Sequence, residues 1–284
     1  MKLRKATRVI ESEIAQVANF SVRRALPDAG VRSLGPWVFL DHFGPFEIDP
    51  SDRGVPPHPH AGIETVTYLL SGTMHHRDSA GHQGKVGKGG AQWMTSGRGI
   101  VHAERPMVGE GAAKMHGIQL WTSLPRALKD SAPDYQQIDA SAVAEREREG
   151  ERLRVVAGEL AGLTGPARTR MPTLLAHLTL APGSMFEAAW PQGYEAGVYV
   201  IEGIARIDGA ADGARTGQLA VLDGEGDAVR VENAGAGRLE VLLLGGAPAE
   251  GPLVFHGPFV MNSLEQVRAA EKAYMTGAMG SLAP

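Results

Sequence analysis

The stretch HPHAGIETVTYLLSG, residues 58–72, joins two histidines to a run of β-branched and apolar residues that ends in glycine. Such a run, bounded by a turn residue, predicts a β-strand. Side chains on a strand point to alternate faces, so His58 and His60 are expected on one face. Gly62 and Glu64 follow the same alternation. The stretch therefore predicts a strand entrance with two ligand-type side chains and a carboxylate further along the same face.

A second pair with the same spacing occurs in GRGIVHAERP, residues 97–106. His102 and Glu104 are two residues apart and again share one face of a predicted strand. If the two strands are neighbours in a barrel, both pairs converge inside it. Three imidazoles and one carboxylate suit Fe, Mn, Ni, Cu or Zn and leave open positions on an octahedral ion. Spacing alone leaves open whether Glu64 or Glu104 is the fourth ligand.

The composition restricts the chemistry of any site. The 284 residues include no cysteine, which excludes disulfides, thiolate nucleophiles, iron–sulfur clusters and cysteine-based zinc sites. Any metal must therefore be held by imidazole and carboxylate groups. A formal net charge of −4, from 28 Lys+Arg and 32 Asp+Glu, argues against nucleic acid binding, which needs a clustered cationic excess. No apolar run is long enough to span a membrane, and the chain opens on charged residues, so a soluble cytoplasmic protein is expected.

The 37 glycines and 18 prolines lie between short apolar runs, which is typical of an all-β protein. The strand–turn–strand pattern of YLLSGTMHHRD, residues 68–78, returns in YVIEGIARID, residues 199–208. This weak internal repeat predicts two copies of one β-barrel module.

Changes of composition predict the domain boundaries. Residues 1–130 are expected to form an N-terminal metal-binding barrel, and 131–152, polar and rich in mixed charge, a linker with some helix. Residues 153–284 are expected to form a second barrel and a C-terminal helix. In NSLEQVRAAEKAY, Ser263 is the expected N-cap, and three apolar side chains are expected on one helix face, namely Leu264, Val267 and Tyr274.

Several of these stretches resemble a known family. HPHAGIETVTYLLSG resembles the first metal motif of the cupin superfamily, H-x-H followed by Glu and, a strand later, Gly. More narrowly, PPHPHAGIETVTYLLSG, QWMTSGRGIVHAE, GIQLW with LP, and GPFVMN resemble the pirin family. The resemblance implies an all-β protein of two tandem cupin (double-stranded β-helix, or jelly-roll) barrels with a C-terminal α-helix.

The resemblance also implies a set of site residues. Pirins hold metal in the N-terminal barrel alone, and the positions that match their ligands are His58, His60, His102 and Glu104. Glu64 then becomes a hydrogen-bond acceptor that orients a ligand histidine. The second barrel has WPQGYEAGVYV, residues 190–200, in place of an H-x-H pair and is expected to be free of metal.

The pirin family includes bacterial quercetin 2,3-dioxygenases, so the resemblance implies a metal-dependent dioxygenase that opens the flavonol ring with release of CO. One divalent transition metal per chain is implied, with Fe²⁺ as the first expectation and Mn, Ni, Cu, Co or Zn as alternatives. The expected partners are a small flavonol-like aromatic substrate and dioxygen, with neither nucleic acid nor membrane. Glu104 or Glu64 is the expected base for the substrate's 3-hydroxyl.

Two other functions remain open. Pirins also include non-enzymatic metal-binding regulators that act through protein partners, as redox or metal sensors. A different metal-dependent cupin reaction, such as isomerisation or hydrolysis of a small oxygenated acid, suits the same ligands.

The other histidines and the tryptophans are expected to be structural. His75 and His76 are adjacent, so only one of them faces inward, and both are predicted at a turn or rim. Trp121 is expected in the barrel core rather than against a substrate.

Overall fold

The computed structural model describes residues 1–49, 54–107 and 114–283. Within the first half, the described strands are β1 (Ala6–Glu11), β2 (Glu13–Val17), β3 (Phe20–Leu26), β4 (Trp37–Glu47), β5 (Val55–His60), β6 (Ile63–Ser71), β7 (Thr73–Asp78), β8 (Gln83–Gly87), β9 (Ala91–Thr95), β10 (Ile100–Pro106), β11 (Lys114–Ser123) and β12 (Asp134–Ile138). A 3₁₀ turn lies at Arg126–Leu128.

The second half continues with β13 (Ala144–Arg148), β14 (Glu151–Ala157), β15 (Glu159–Leu160), β16 (Leu163–Thr164), β17 (Thr173–Leu180), β18 (Met185–Ala189), β19 (Glu195–Glu202), β20 (Ile204–Arg206), β21 (Ala214–Arg215), β22 (Gln218–Leu222), β23 (Ala228–Asn233), β24 (Leu239–Gly246), β25 (Val254–His256), β26 (Phe259–Met261) and the helix α1 (Leu264–Met275). The all-β prediction with a C-terminal helix is confirmed. The described residues contain no helix that is long and apolar enough to cross a membrane.

The chain forms two compact units, each drawn from three stretches. The C-terminal barrel unit comprises Met1–Ile14, Arg23–Phe39 and Ala142–Pro248, and the N-terminal barrel unit comprises Ala15–Val22, Leu40–Ser141 and Ala249–Pro284. These units differ from the predicted boundaries at both ends of the chain. The reason is long-range strand pairing and packing, which local composition does not encode.

The C-terminal barrel unit contains a seven-stranded sheet, β1-β22-β19-β24-β17-β14-β13, and a four-stranded sheet, β18-β23-β20-β21. The first strand of the chain forms one edge of the larger sheet, because β1 pairs antiparallel with β22. Alternate side chains fill the core, as in the series Leu174, Ala176, Leu178 and Leu180 on β17. This period of two is the pattern of a sheet with one face turned into a barrel.

The N-terminal barrel unit contains the four-stranded sheet β5-β10-β7-β8, and β6, β9, β11 and β12 lie in a seven-stranded sheet of order β12-β9-β6-β11-β4-β3-β2. Strand β5 is at the edge of the smaller sheet. An edge strand pairs on one side only, so its prolines at 56, 57 and 59 are tolerated there. The edge position therefore explains how a Pro-rich segment forms the strand that carries His58 and His60.

The predicted linker contains strands. Residues 134–138 pair with β9, and 144–148 pair with β14. Ion pairs cross the β13–β14 hairpin, from Arg152 to Glu145 at 2.8 Å and from Arg146 to Glu151 at 2.8 Å. The mixed-charge run is thus an edge strand whose alternating charges find partners across the hairpin, and the predicted helix is absent from residues 131–152.

The C-terminal segment packs within the N-terminal barrel unit. Val267 and Ala270 of α1 join Ala61 and Val101 in one buried cluster. Gly62 has φ +77°, and a Cβ there would collide with the Val260 carbonyl, so the close approach of the β25–β26 hairpin requires glycine.

The helix begins as predicted, because the Ser263 hydroxyl accepts from the Gln266 backbone N–H. Its buried face differs from the prediction. Val267 is buried, but Leu264 and Tyr274 are 63% and 43% exposed. Ala270 lies on the buried face instead, beside Val267 in the same buried cluster.

Lys129 ties the tail to the barrel from a fully buried position. Its ammonium donates to the Gly62 carbonyl at 2.7 Å, the Ser123 hydroxyl at 2.9 Å and the Val260 carbonyl at 2.7 Å. Burial lowers the pKa of Lys129 to about 7, against the opposing effect of the Glu250 charge. Three donors thus meet three acceptors, which offsets part of the cost of burying the amine.

We expect Lys129→Met to lower the free energy of unfolding by about 3 kcal/mol, because it removes the three hydrogen bonds that the buried ammonium donates. The measurement is the thermal unfolding midpoint of the metal-free protein. Lys88→Met, at an exposed position, is the control and is expected to change little. Equal midpoints for the two variants would contradict this account of Lys129.

Candidate metal centre

Three histidines converge in the N-terminal barrel unit because β5 and β10 pair. His58 lies directly opposite His102 in the antiparallel register, and Ile100 lies opposite His60. The His58 and His102 Nε2 atoms are 2.9 Å apart. One ring nitrogen from each of His58, His60 and His102 lies within 4.8 Å of the other two. The tertiary structure therefore brings together three of the four predicted ligands.

Backbone carbonyls orient two of these rings. The His58 Nδ1 contacts the Pro56 carbonyl at 2.8 Å, and the His60 Nδ1 contacts the Pro258 carbonyl at 3.2 Å. A carbonyl only accepts, so each Nδ1 carries the proton and each Nε2 keeps its lone pair. Pro258 was not among the predicted site residues, although it lies in the GPFVMN motif. No local pattern connects it with His60.

The electrostatics keep the His60 and His102 imidazoles unprotonated. Burial, and then the nearby His58, lower the pKa of His60 to about 3, although the Pro258 carbonyl opposes the change. Burial and the neighbouring histidines also hold the pKa of His102 well below its ordinary value. Neutral imidazole is the form that binds metal ions. His60 and His102 are therefore in their metal-binding protonation state at neutral pH.

The nitrogen spacing suits a metal ion. Two nitrogens that are each about 2.1 Å from one ion, at right angles, are about 3.0 Å apart. The 2.9 Å between the His58 and His102 Nε2 atoms matches this separation. A cation between these two nitrogens would be held by a lone pair from each. The donor set thus fits a first-row transition ion.

Glu104 is buried on the same face of β10 as His102. Its Oε1 accepts from the Thr67 hydroxyl at 2.7 Å and from the Gln92 side-chain amide. Glu104 is outside the group of described residues whose ligand atoms lie within 4.8 Å of one another. Because both donors reach Oε1, Oε2 is the oxygen that remains for an ion or a substrate proton.

Glu64 lies on the opposite face of its sheet. The chain turns at residues 61–62 between β5 and β6, which ends the alternation that linked Glu64 to His58. On β6, Thr67 contacts Glu104, and Glu64 is three residues away and so faces the other side. The Glu64 carboxylate accepts from the Thr95 and Thr122 hydroxyls at 2.9 and 3.2 Å. The register therefore favours Glu104 over Glu64 as the carboxylate of the histidine cluster.

The histidine that sequence reasoning placed at a rim is part of the site's surroundings. His76 is 1% exposed, and its Nδ1 lies 3.5 Å from the His102 Nδ1. Its neighbour His75 faces the other way, as the alternation requires. The signal that sequence reasoning missed is the H-x-D spacing of His76 and Asp78, which repeats that of the two site pairs.

Asp78 is buried and held by several donors. Burial raises its pKa, but hydrogen bonds from His76 and His82 outweigh burial, and the pKa of Asp78 lies below its ordinary value. The carboxylate is therefore ionised at neutral pH.

Trp121 contacts the cluster rather than filling the core behind it. Its ring meets the His60 ring edge-on, with centroids 4.9 Å apart, and it is half-buried. Trp121 therefore belongs to the surroundings of the histidine cluster.

Comparisons with known proteins match both halves of the chain. Residues 19–122 match the Pirin family model, and residues 175–280 match the model of the Pirin C-terminal cupin domain. The mouse protein Pirin is 38% identical over 265 residues, covering 92% of this chain and 89% of the mouse protein. The chain belongs to the pirin family.

Solved structures share this fold. A quercetin 2,3-dioxygenase from Acinetobacter baumannii superposes with a TM-score of 0.91 at 30% identity, covering 99% of this chain and 100% of that one. The bacterial pirin YhhW from Escherichia coli, solved in complex with nickel(II), has a TM-score of 0.61 at 19% identity, covering 87% of this chain and 98% of that one, and shows likeness of fold alone. This pirin is thus a cupin with a histidine cluster suited to a metal ion.

The two family matches each contribute to the cluster. The three histidines lie in the segment that matches the Pirin model, and Pro258, which holds His60, lies in the segment that matches the Pirin C-terminal cupin domain. The prediction that the second barrel is free of metal remains a prediction. The core of that unit is filled by apolar side chains, among them Leu153, Val198 and Leu243.

Proposed function

We propose that this pirin is a metal-dependent dioxygenase that opens the central ring of a flavonol such as quercetin and releases CO. The convergence of one ring nitrogen from each of three histidines, with the buried Glu104 carboxylate on the same strand face as His102, carries the proposal. The 30% identical relative of the same fold, a quercetin 2,3-dioxygenase, supports the substrate class.

The proposed ligands are His58, His60, His102 and Glu104. Fe²⁺ is the expected ion, and Mn, Ni, Cu, Co and Zn are alternatives with suitable ligand preferences. A divalent transition ion here would act as a Lewis acid that lowers the pKa of a bound hydroxyl and activates the substrate towards dioxygen.

Glu104 is the proposed base for the substrate's 3-hydroxyl. Thr67 and Gln92 hold its Oε1, so the carboxylate cannot rotate away, and Oε2 accepts the proton. In the overall reaction both atoms of dioxygen enter the products, and one ring carbon leaves as CO. The redox balance therefore requires no further reductant.

Trp121 and the buried wall of the N-terminal barrel unit are proposed to hold the planar substrate. The Trp121 ring packs edge-on against His60, so an aromatic ligand beside the cluster meets an aromatic face. Glu104 is buried, which strengthens its charge interactions.

The test is metal analysis of the protein as isolated, coupled to a CO-release assay with quercetin after loading with Fe, Mn, Ni or Cu. We expect one metal per chain and CO formation with at least one of these ions. A metal-loaded protein that releases no CO with any of them would contradict the dioxygenase proposal.

The second candidate is a metal-binding regulator with a protein partner. The exposed apolar side chains of α1 favour it: Leu264 is 63% and Met275 85% exposed. Eleven residues make about three helical turns, so both side chains lie on one face. Metal binding without CO release, together with partner binding that Leu264→Glu abolishes, would support this function instead.

A further inference from the structure

We propose that His76 and Asp78 are positioning residues that set the tautomer and orientation of His102, so that its Nε2 points into the histidine cluster. This inference rests on the proposed metal site. The Pro56 and Pro258 carbonyls orient the rings of His58 and His60. We assign the same role for His102 to the H-x-D pair of β7.

The side chains of His102, His76 and Asp78 form a buried series of contacts that leads away from the cluster. The His102 Nδ1 lies 3.5 Å from the His76 Nδ1, and the His76 Nε2 lies 3.1 Å from Asp78 Oδ2. All three residues are buried, at 3% exposure or less. Strand register explains the alignment, because β7 and β10 pair and place His76 and Asp78 beside Glu104 and His102.

The Asp78 carboxylate determines which nitrogens of His76 and His102 donate a hydrogen bond. The Asp78 carboxylate only accepts, so the His76 Nε2 carries a proton. In the neutral ring the His76 Nδ1 then has a lone pair, and the facing nitrogen of His102 is the donor. The proton of His102 is thereby fixed on Nδ1, and its Nε2 lone pair faces the His58 Nε2 at 2.9 Å.

Asp78, the last of these three side chains, is held rigidly. Asp78 Oδ1 accepts from the backbone N–H groups of Ala80 and His82, each at 3.0 Å, within the turn DSAGH. The His82 ring adds a contact to Asp78 Oδ2 at 2.9 Å. Together with the His76 contact, these contacts hold the Asp78 carboxylate in one orientation. Aspartate side chains often bond to the backbone of a tight turn in this way.

The plane of the His76 ring is also fixed. Tyr135 stacks on it with ring centroids 4.5 Å apart and an interplanar angle of 14°. Residue 84 lies opposite His76 in the β7–β8 ladder, and the Tyr135 phenol group occupies the space that a Cβ at Gly84 would need. His76 therefore cannot tilt away from His102 without displacing Tyr135.

His102 is the one member of the cluster whose Nδ1 contacts a side chain rather than a carbonyl among the described residues. Its orientation is therefore open to mutation. Residues that hold a ligand histidine from behind typically change metal affinity by about 10- to 100-fold.

The experiment compares Ni²⁺ affinity by calorimetry in the wild type and in variants of the two adjacent histidines. His76→Gln keeps a donor for Asp78 but lacks the ring acceptor, His76→Leu lacks both, and His76→Asn keeps an acceptor near the Nδ1 position. His75→Leu, on the opposite face of β7, is the matched control. Thermal unfolding of the metal-free variants establishes that each one folds.

We expect binding to be about 10- to 100-fold weaker in His76→Gln and His76→Leu, near wild type in His75→Leu, and largely restored in His76→Asn. At saturating Co²⁺, the visible absorption bands are expected to shift in the two weak variants and return in His76→Asn, which a loss of general stability would not produce. Wild-type affinity in either folded variant, His76→Gln or His76→Leu, overturns the inference, as does a His76→Asn that is as weak as His76→Leu. A wild-type protein that binds no Ni²⁺, Co²⁺ or Fe²⁺ instead overturns the metal site itself.

Discussion

His58→Ala is expected to abolish high-affinity metal binding and CO release from quercetin together. The variant removes one of three ring nitrogens that lie within 4.8 Å of one another, and the remaining two nitrogens form a much weaker site. His58 is only half-buried, so the apo protein is expected to keep its fold. Loss of function would then report on the site rather than on stability.

Two measurements check this prediction. Metal content after Ni²⁺ loading is expected to fall from one ion per chain to near zero. Thermal unfolding gives an independent value, because a ligand at 100 times its Kd stabilises the folded state by about 2.7 kcal/mol. That shift is expected in the wild type and absent in His58→Ala.

His256→Ala is the control for the loss of a histidine elsewhere. His256 is exposed, pairs with Glu271 and lies outside the cluster of three. Its metal content and CO release are expected to match the wild type. A His58→Ala protein with normal metal content would refute the site, and one with normal CO release would refute its role in the reaction.

Glu104→Gln is expected to lower kcat for quercetin by about 10²- to 10⁴-fold, the usual contribution of a positioned general base. The amide keeps the shape of the side chain and its contacts with Thr67 and Gln92, but it cannot accept the 3-hydroxyl proton. The measurement is the rate of CO release at saturating metal and substrate. Metal content is measured in parallel, since Glu104 is also a proposed ligand.

Glu64→Gln is the matched control, because both carboxylates are buried and accept hydrogen bonds from threonine hydroxyls. Glu64 faces the opposite side of its sheet, so kcat is expected to change by no more than a few fold. The reverse result, with Glu64→Gln inactive and Glu104→Gln active, would restore Glu64 as the base that sequence spacing left open.

Local sequence patterns predicted much of the site. The spacing of two in HPH and HAE places each pair on one strand face, since alternation is a property of any extended backbone. The Ser263 cap of α1 was also predictable, because capping depends only on residues within one helical turn. The absence of cysteine limits the ligands to imidazole and carboxylate, because the chain has no thiolate to offer.

Sequence patterns failed where the chain changes direction or pairs at long range. The turn at residues 61–62 broke the alternation that made Glu64 a candidate on the face of His58. The polar interval 131–152 contains strands because partners on β9 and β14 satisfy its backbone, whereas its composition is that of a linker.

The sequence by itself determined the all-β architecture, the chemical type of the site and the two strands that carry it, because each depends on residue identity and a period of two. Only the tertiary structure decided that Glu104 rather than Glu64 lies on the side of the histidines, that His76 lies behind His102, and that the C-terminal segment brings the Pro258 carbonyl to His60. These contacts join residues up to 198 positions apart. Strand register and chain packing establish them, and no local pattern encodes either.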